Sequence, residues 1–301
     1  MTEKKALPQG LPANEIATAA SSALILGYSA PMPGTDSRYW DGGVAHETRL
    51  LGVPTLSATL AGADDRSVGE TVLEAVLGSR TVSGYADLRA AGHLAPLARA
   101  ALLGERLGKV LAGLSYADVR YFARALEEAG PEHLGGTLHG ALGVALGSGR
   151  DATLRDAMRF AAAGSPPDAM AAEYARSFEV TRTLARPALE TALARVEAAR
   201  PALVQAYLEV LAEIPDAEVE RRAGRKEAED VSRMAGGVVK TGGAGSRRGL
   251  QAIANLDGIL KQDARLKPSA TEAKIVAAAF LCGLDRGPAY LNVRVRPASQ
   301  R

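Results

Sequence analysis

Four stretches of the 301-residue chain gather side chains that could do chemistry. Ser29–Arg38 reads SAPMPGTDSR: two prolines and a glycine stiffen a loop carrying an aspartate and an arginine, fit to hold a ligand or simply to turn a corner. Thr241–Gly249, TGGAGSRRG, offers backbone N–H groups with Arg247 and Arg248 where a helix begins, but it lacks the G-x-x-x-x-G-K-[ST] spacing of a phosphate loop and reads equally as a helix connector. Arg221, Arg222 and Arg225 lie close together in PDAEVERRAGRKEAEDVSR, Pro215–Arg233, as an anion patch or a solvated helical face. Asp168, Glu173 and Tyr174 fall where a helix starts, as cap and face residues or as a polar cluster.

The remaining reactive residues point elsewhere. The histidines at 46, 93, 133 and 139 never fall four apart, so the spacing gives no support for a zinc site. Cys282 sits in the apolar run VAAAFLCG with no adjacent base, which predicts an inert core thiol. As the sole cysteine it also excludes an internal disulfide and fits a reducing, cytoplasmic setting. Trp40, in SRYWD, reads as packing rather than base stacking.

The elements that must position these residues are helices. Apolar residues make up 47% of the chain but aromatics only 4%, and Ala, Leu, Glu and Arg dominate, a composition for close-packed helices rather than sheets. Asn14 is placed to cap a helix to Tyr28; further helices are predicted near 46–61, 66–77 and 91–103, and from Ser115 to Gly130. The glycine-rich stretch 130–150 reads as loop with a short turn of helix, with Asp151 and Asp168 capping the next two helices. Pro201 divides or kinks 187–214, one helix spans 217–239, and Ser269 with Glu272 forms an S-x-x-E capping box for the last. YLNVRVRP, near the C-terminus, alternates like a short strand or an ordered tail. The expected architecture is all-α, a single large multi-helix domain over 12–286 with tails at 1–11 and 287–301. The net charge of +2 gives no reason to bind nucleic acid or membrane. No apolar run is long enough to span a bilayer, which leaves a small molecule or another protein, a second copy included, as partner.

In order along the chain, these clusters resemble the triphosphoribosyl-dephospho-CoA synthase family, especially its archaeal and methylotroph branch. The family's SA-x-PKPGN-x-x-R is matched by SAPMPGTDSR, its NTNLG by YADLR at 85–89, and its LLAPLA by HLAPLA at 93–98. Its TL-x-x-AM, D-x-(I/M)A-x-x-Y-x-x-x-F and PDT…RK…VS segments are matched by TLRDAM, DAMAAEYARSF and PDAEVERRAGRKEAEDVS, and NPGTTAD by KPSATEA. Met32 stands for the motif lysine, Thr35 for its asparagine, Tyr85 and Asp87 for its NTN polar pair, Arg222 for a lysine, and Ala273 for the last carboxylate.

The resemblance implies an all-helical transferase in which a ribose hydroxyl displaces adenine from ATP. It also implies Mg²⁺ as cofactor and a nucleotide or CoA-like partner. It assigns Arg38 and Asp168 to catalysis, with Asp168 on the metal. Ser29, Gly34, Arg221, Arg222, Tyr174 and Thr271 go to substrate binding. The replaced motif residues leave an alternative: a diverged member serving as a binding or scaffold subunit, or acting in one-carbon cofactor biosynthesis of the methanopterin or methanofuran type.

Overall fold

The computed structural model of the chain describes residues 10–40, 42–196 and 198–291. Among these residues there are fifteen α-helices and no strand, only an isolated antiparallel bridge between Ser37 and Trp40. The first half runs α1 (Ala13–Ser29), α2 (His46–Ala61), α3 (Val68–Ser83), α4 (Leu88–Leu103), α5 (Leu107–Ala112), α6 (Tyr116–Ala129) and α7 (Thr137–Gly147). The second runs α8 (Leu154–Ala162), α9 (Ala169–Ala175), α10 (Arg186–Arg195), α11 (Ala199–Glu213), α12 (Ala217–Ala223), α13 (Arg225–Lys240), α14 (Arg247–Lys261) and α15 (Ser269–Arg286).

The last helix is the axis of the body. Every residue of α15 from Ser269 to Leu284 is buried, and α1, α4, α10 and α11 pack around it. Small residues make that possible: alanines at 270, 273, 277, 278 and 279 let neighbouring backbones approach without leaving voids. The second buried rod is α4, whose Pro96 continues the helix at a cost. A proline has no N–H to give the carbonyl four residues back, so the Gly92 carbonyl loses its helical donor. The Tyr174 hydroxyl, arriving from α9, donates to that oxygen at 2.7 Å and restores the bond.

Local chemistry departs from the sequence reading at several ends. Pro12, not Asn14, occupies the cap position of α1. Thr153 rather than Asp151 caps α8, accepting from the Asp156 N–H, because Asp151 lies in the preceding turn. The stretch 130–150, expected as loop with a short turn of helix, carries the longer α7: its leucines and alanines at 138, 141, 142 and 145 make a buried stripe that outweighs the helix-weakening glycines. The helix expected at 217–239 is broken at Gly224, whose φ of 116° no helix accommodates. The capping box of α15 does not form; Pro268 takes the cap position and Glu272 turns to an arginine from α2. Capping by Ser115, with Asp118 returning the bond, and by Asp168 follows expectation. TGGAGSRRG is a packed connector: Gln205 accepts from the Ala244 N–H and Ser246 caps α14. Cys282 is fully buried, and burial pushes its thiol up to about 12. Pro288–Leu291 forms a short turn with Tyr290 and Leu291 buried, while the strand-like remainder of YLNVRVRP lies outside the described residues. None of the described helices is long and apolar enough to cross a membrane.

Candidate functional site

A cavity of about 230 Å³ opens between the loop after α1, the N-terminal halves of α2 and α4, and the start of α15. Arg89, His93, Glu132 and Ala273 form a wall shared with a second, smaller lobe of about 50 Å³, which continues to Asp168, Glu218 and Arg221.

The first lobe is built from buried polar side chains on otherwise apolar helices. The Tyr28 hydroxyl donates to Asp87 Oδ2 at 2.5 Å, while Asp87 Oδ1 caps α4 by accepting from the Ala90 N–H. Arg49 lies over the Tyr28 ring at 3.8 Å and pairs with Glu272 at 2.6 Å. Lys267 pairs with Asp36. Burial disfavours the Arg49 charge, but Glu272 and the neighbouring acids outweigh this and raise its pKa further. Three buried polar atoms on this lobe have no hydrogen-bond partner: Asp36 Oδ1, Arg49 Nε and His93 Nε2. Buried polar atoms are rarely left orphaned, each costing about 1–3 kcal/mol, and all three belong to residues that line this lobe.

In the second lobe Glu218 receives Arg89 at 3.5 Å and Arg221 at 3.0 Å. Burial works against its carboxylate, but the arginines prevail and bring it to about 2. Asp168 is pushed up by burial, its Oδ1 held by the Ala171 N–H. Burial lowers both His93 and His133 to about 4, so both are neutral at physiological pH.

Of the residues singled out in the sequence, Asp168 and Arg221 therefore share one lobe. Arg38 does not join them. The loop sends Asp36 inward and Arg38, two residues on, outward to stack on Tyr39, and Arg38 with Ser29 lines a separate open hollow beside His46, Glu47 and Arg200. Gly34, at φ 78°, makes the turn that delivers Asp36, its N–H donating to Asp257 on α14 at 2.9 Å. Arg222 is a strap rather than part of the wall: it donates to the Glu218 carbonyl at 2.9 Å, to the Lys267 carbonyl and to the Ser269 hydroxyl, so it holds the segment bearing Lys267 against α12. Thr271 joins α15 to α12, giving its N–H and hydroxyl to Asp216 Oδ2 at 2.7 and 2.8 Å. Tyr174 is buried against Gly92 and lines neither lobe. Met32, at the motif lysine position, is 1% exposed and lies in the apolar core.

The residues of the wall that the motif reading passed over are Tyr28, Asp36, Arg49, Arg89, His93, Lys267 and Glu272. One had a signal: His93 stands alone in the apolar run AAGHLAPLA of α4, whereas Arg49 and Glu272 sit among other polar residues at the starts of their helices. The motif pairs quoted above set Arg89 against a glycine and His93 against a leucine.

An all-helical body around a two-lobed, buried and charged cavity defines a helical protein with an enclosed site for a polar small molecule. The chain belongs to the CitG family, ATP:dephospho-CoA triphosphoribosyl transferase, whose model matches residues 13–290. Its fold is similar to the crystal structure of an Archaeoglobus fulgidus protein provisionally named a triphosphoribosyl-dephospho-CoA synthase. The TM-score is 0.54 at 18% identity, over 77% of this chain and 96% of that one. No curated protein gives a significant sequence match.

Proposed function

We propose that the protein transfers a triphosphoribosyl group from Mg–ATP to a hydroxyl of dephospho-CoA or a related acceptor, releasing adenine in the cytoplasm, and that the two-lobed cavity is where this occurs. The observation that carries the reading is the trio of partnerless buried atoms, Asp36 Oδ1, Arg49 Nε and His93 Nε2, on one wall within the family-matched span. A displacement at a ribose carbon needs the leaving base and the attacking hydroxyl held in line, and an acceptor, a donor and a lone pair fixed on rigid helices suit that task. The described residues contain no group of three or more His, Cys, Asp or Glu side chains placed to hold a metal. Asp168 would be the protein's ligand to a magnesium ion carried by the triphosphate, since Mg²⁺ needs only one or two carboxylates beside its phosphates. The cavity as it stands lies below the usual range of about 300–1,000 Å³ for ligand pockets, so binding moves the loop bearing Asp36, Gly43 and Val44 outward.

A second reading is favoured by the exchange of glycine for Arg89 and leucine for His93: the acceptor differs from dephospho-CoA, as in one-carbon cofactor biosynthesis. Calorimetric titration with ATP, with and without Mg²⁺, followed by dephospho-CoA and chromatography for adenine, tests both. Heat with Mg–ATP and free adenine support the first. Heat with Mg–ATP but no adenine until another acceptor is supplied supports the second, and no heat with either nucleotide refutes the transferase.

A further inference from the structure

Four carboxylates and a histidine stand around the junction of the two lobes, where a donor in one would meet an acceptor in the other. Three of the carboxylates are committed: Asp87 to the Tyr28 hydroxyl and the α4 cap, Glu272 to Arg49, and Glu218 to Arg89 and Arg221. The fourth, Glu132, is exposed on a loop. His93 differs from all of them. It lines both lobes, is 3% exposed, and its Nδ1 lies 2.8 Å from the Arg89 carbonyl one turn back on α4. A carbonyl can only accept, so Nδ1 carries the proton and Nε2 presents a lone pair. That lone pair has no partner, which costs stability and contributes nothing to packing that the motif's leucine would not supply.

We infer that His93 Nε2 accepts the proton of the attacking hydroxyl, making it a catalytic residue peculiar to this wall. The inference rests on the transfer reaction proposed above. In that step the acceptor oxygen bonds to the ribose anomeric carbon as the bond to adenine breaks, and the bonding pair leaves on the base. The hydroxyl proton passes to His93 Nε2, and the imidazolium returns it to the departing adenine, so both products leave uncharged at the reacting atoms. The ring is a weak base, at about 4, held there by burial first, with Arg89 on its own helix and Lys274 on α15 acting the same way and Asp87 opposing. Weakness is no obstacle, because an oxygen newly bonded to carbon is a far stronger acid than this imidazolium.

Two variants test the role, His93→Leu, which installs the motif residue, and His93→Gln, which keeps a hydrogen-bond acceptor but no useful base. Adenine release at saturating Mg–ATP and dephospho-CoA is expected to fall by about 100-fold or more in both. Mg–ATP affinity by calorimetry should stay within about threefold of wild type, and thermal melting should show the variants folded. Turnover within tenfold of wild type in the leucine variant overturns the inference. Recovery in the glutamine variant, or a loss of Mg–ATP affinity that accounts for the lost turnover, overturns it too by making His93 a binding group. A wild type that binds neither nucleotide, or releases no adenine with any acceptor supplied, refutes the transfer reaction itself, and the inference falls with it.

Discussion

The pair Arg49–Glu272 separates what the fold needs from what the site needs. Both side chains are nearly buried, at 10% and 6% exposure, and they meet at 2.6 Å between α2 and α15. Replacing Glu272 by Gln keeps the shape and removes the charge, leaving the guanidinium uncompensated. Breaking a buried pair in this way costs about 3–5 kcal/mol. Asp87 and the face of Tyr28 remain beside the arginine, which places the expected loss near the lower figure, about 3 kcal/mol. Unfolding entropy of roughly 2.1 cal/mol/K per residue gives about 0.6 kcal/mol/K for a chain of 301 residues, so Glu272→Gln should melt about 5 °C below wild type. The double variant Arg49→Met with Glu272→Met replaces both charges by flexible apolar side chains and should recover to within about 1 kcal/mol of wild type. Its Mg–ATP affinity should nevertheless fall by roughly ten- to a hundredfold, the worth of a hydrogen bond to a charged group. Differential scanning calorimetry and isothermal titration on the three proteins decide the matter. A Glu272→Gln protein that melts with wild type refutes the buried pair; a double variant that binds Mg–ATP like wild type removes Arg49 from the site.

Tyr174→Phe deprives the Gly92 carbonyl of the donor that replaces Pro96, so it should cost about 1–3 kcal/mol in urea melts while adenine release stays within a few-fold of wild type; a large loss of turnover with intact stability would return Tyr174 to the site. Met32→Lys restores the motif lysine, but the position is core, and the variant should lose about 3 kcal/mol or more without gaining turnover; unchanged melting with faster adenine release contradicts this. His93 and His133 are both lowered from 6.5 to about 4, so the folded state resists protons that the unfolded chain accepts below pH 6.5. Their contribution is complete above pH 6.5 and is lost as pH falls to about 4, up to roughly 3 kcal/mol for each. Urea midpoints should therefore drop steadily from pH 7 to 4, and the drop should be shallower in His93→Leu; a flat profile above pH 5 refutes the assignment.

The helical class was legible because apolar and polar residues alternate at helical spacing in α6, α8, α13 and α14 without any long-range information. What escaped was decided at a distance. The leucines of α7 make a helix of a glycine-rich segment only because other helices bury them. Glu272 satisfies a local capping pattern, yet an arginine 223 positions earlier offers a stronger, charged contact. The motif loop SAPMPGTDSR was recognisable as a positioned turn, but which of Asp36 and Arg38 faces inward depends on Gly34 and its anchor Asp257, again 223 residues away. His93, stranded in the apolar run of α4, was a readable signal of the site, and spacing rules aimed at metals passed over it.

The charges of the cavity constrain its ligand more tightly than its shape does. Four cations line the two lobes, Arg49, Arg89, Arg221 and Lys267, and each already has a carboxylate partner. Six carboxylates line the same walls, Asp36, Asp87, Glu132, Asp168, Glu218 and Glu272. Among the described residues of the wall no cation is left over for a phosphate, and three acids lack a cationic partner. At an effective dielectric of about 20, each pair of like charges about 8 Å apart costs roughly 2 kcal/mol, so a bare triphosphate with several charges would be expelled. A magnesium ion on the triphosphate reverses this, because the excess carboxylates then face a divalent cation. On the proposed reaction, the acidic excess around Asp168 predicts that ATP binds only together with Mg²⁺, and a calorimetric titration that finds equal affinity without the metal refutes this.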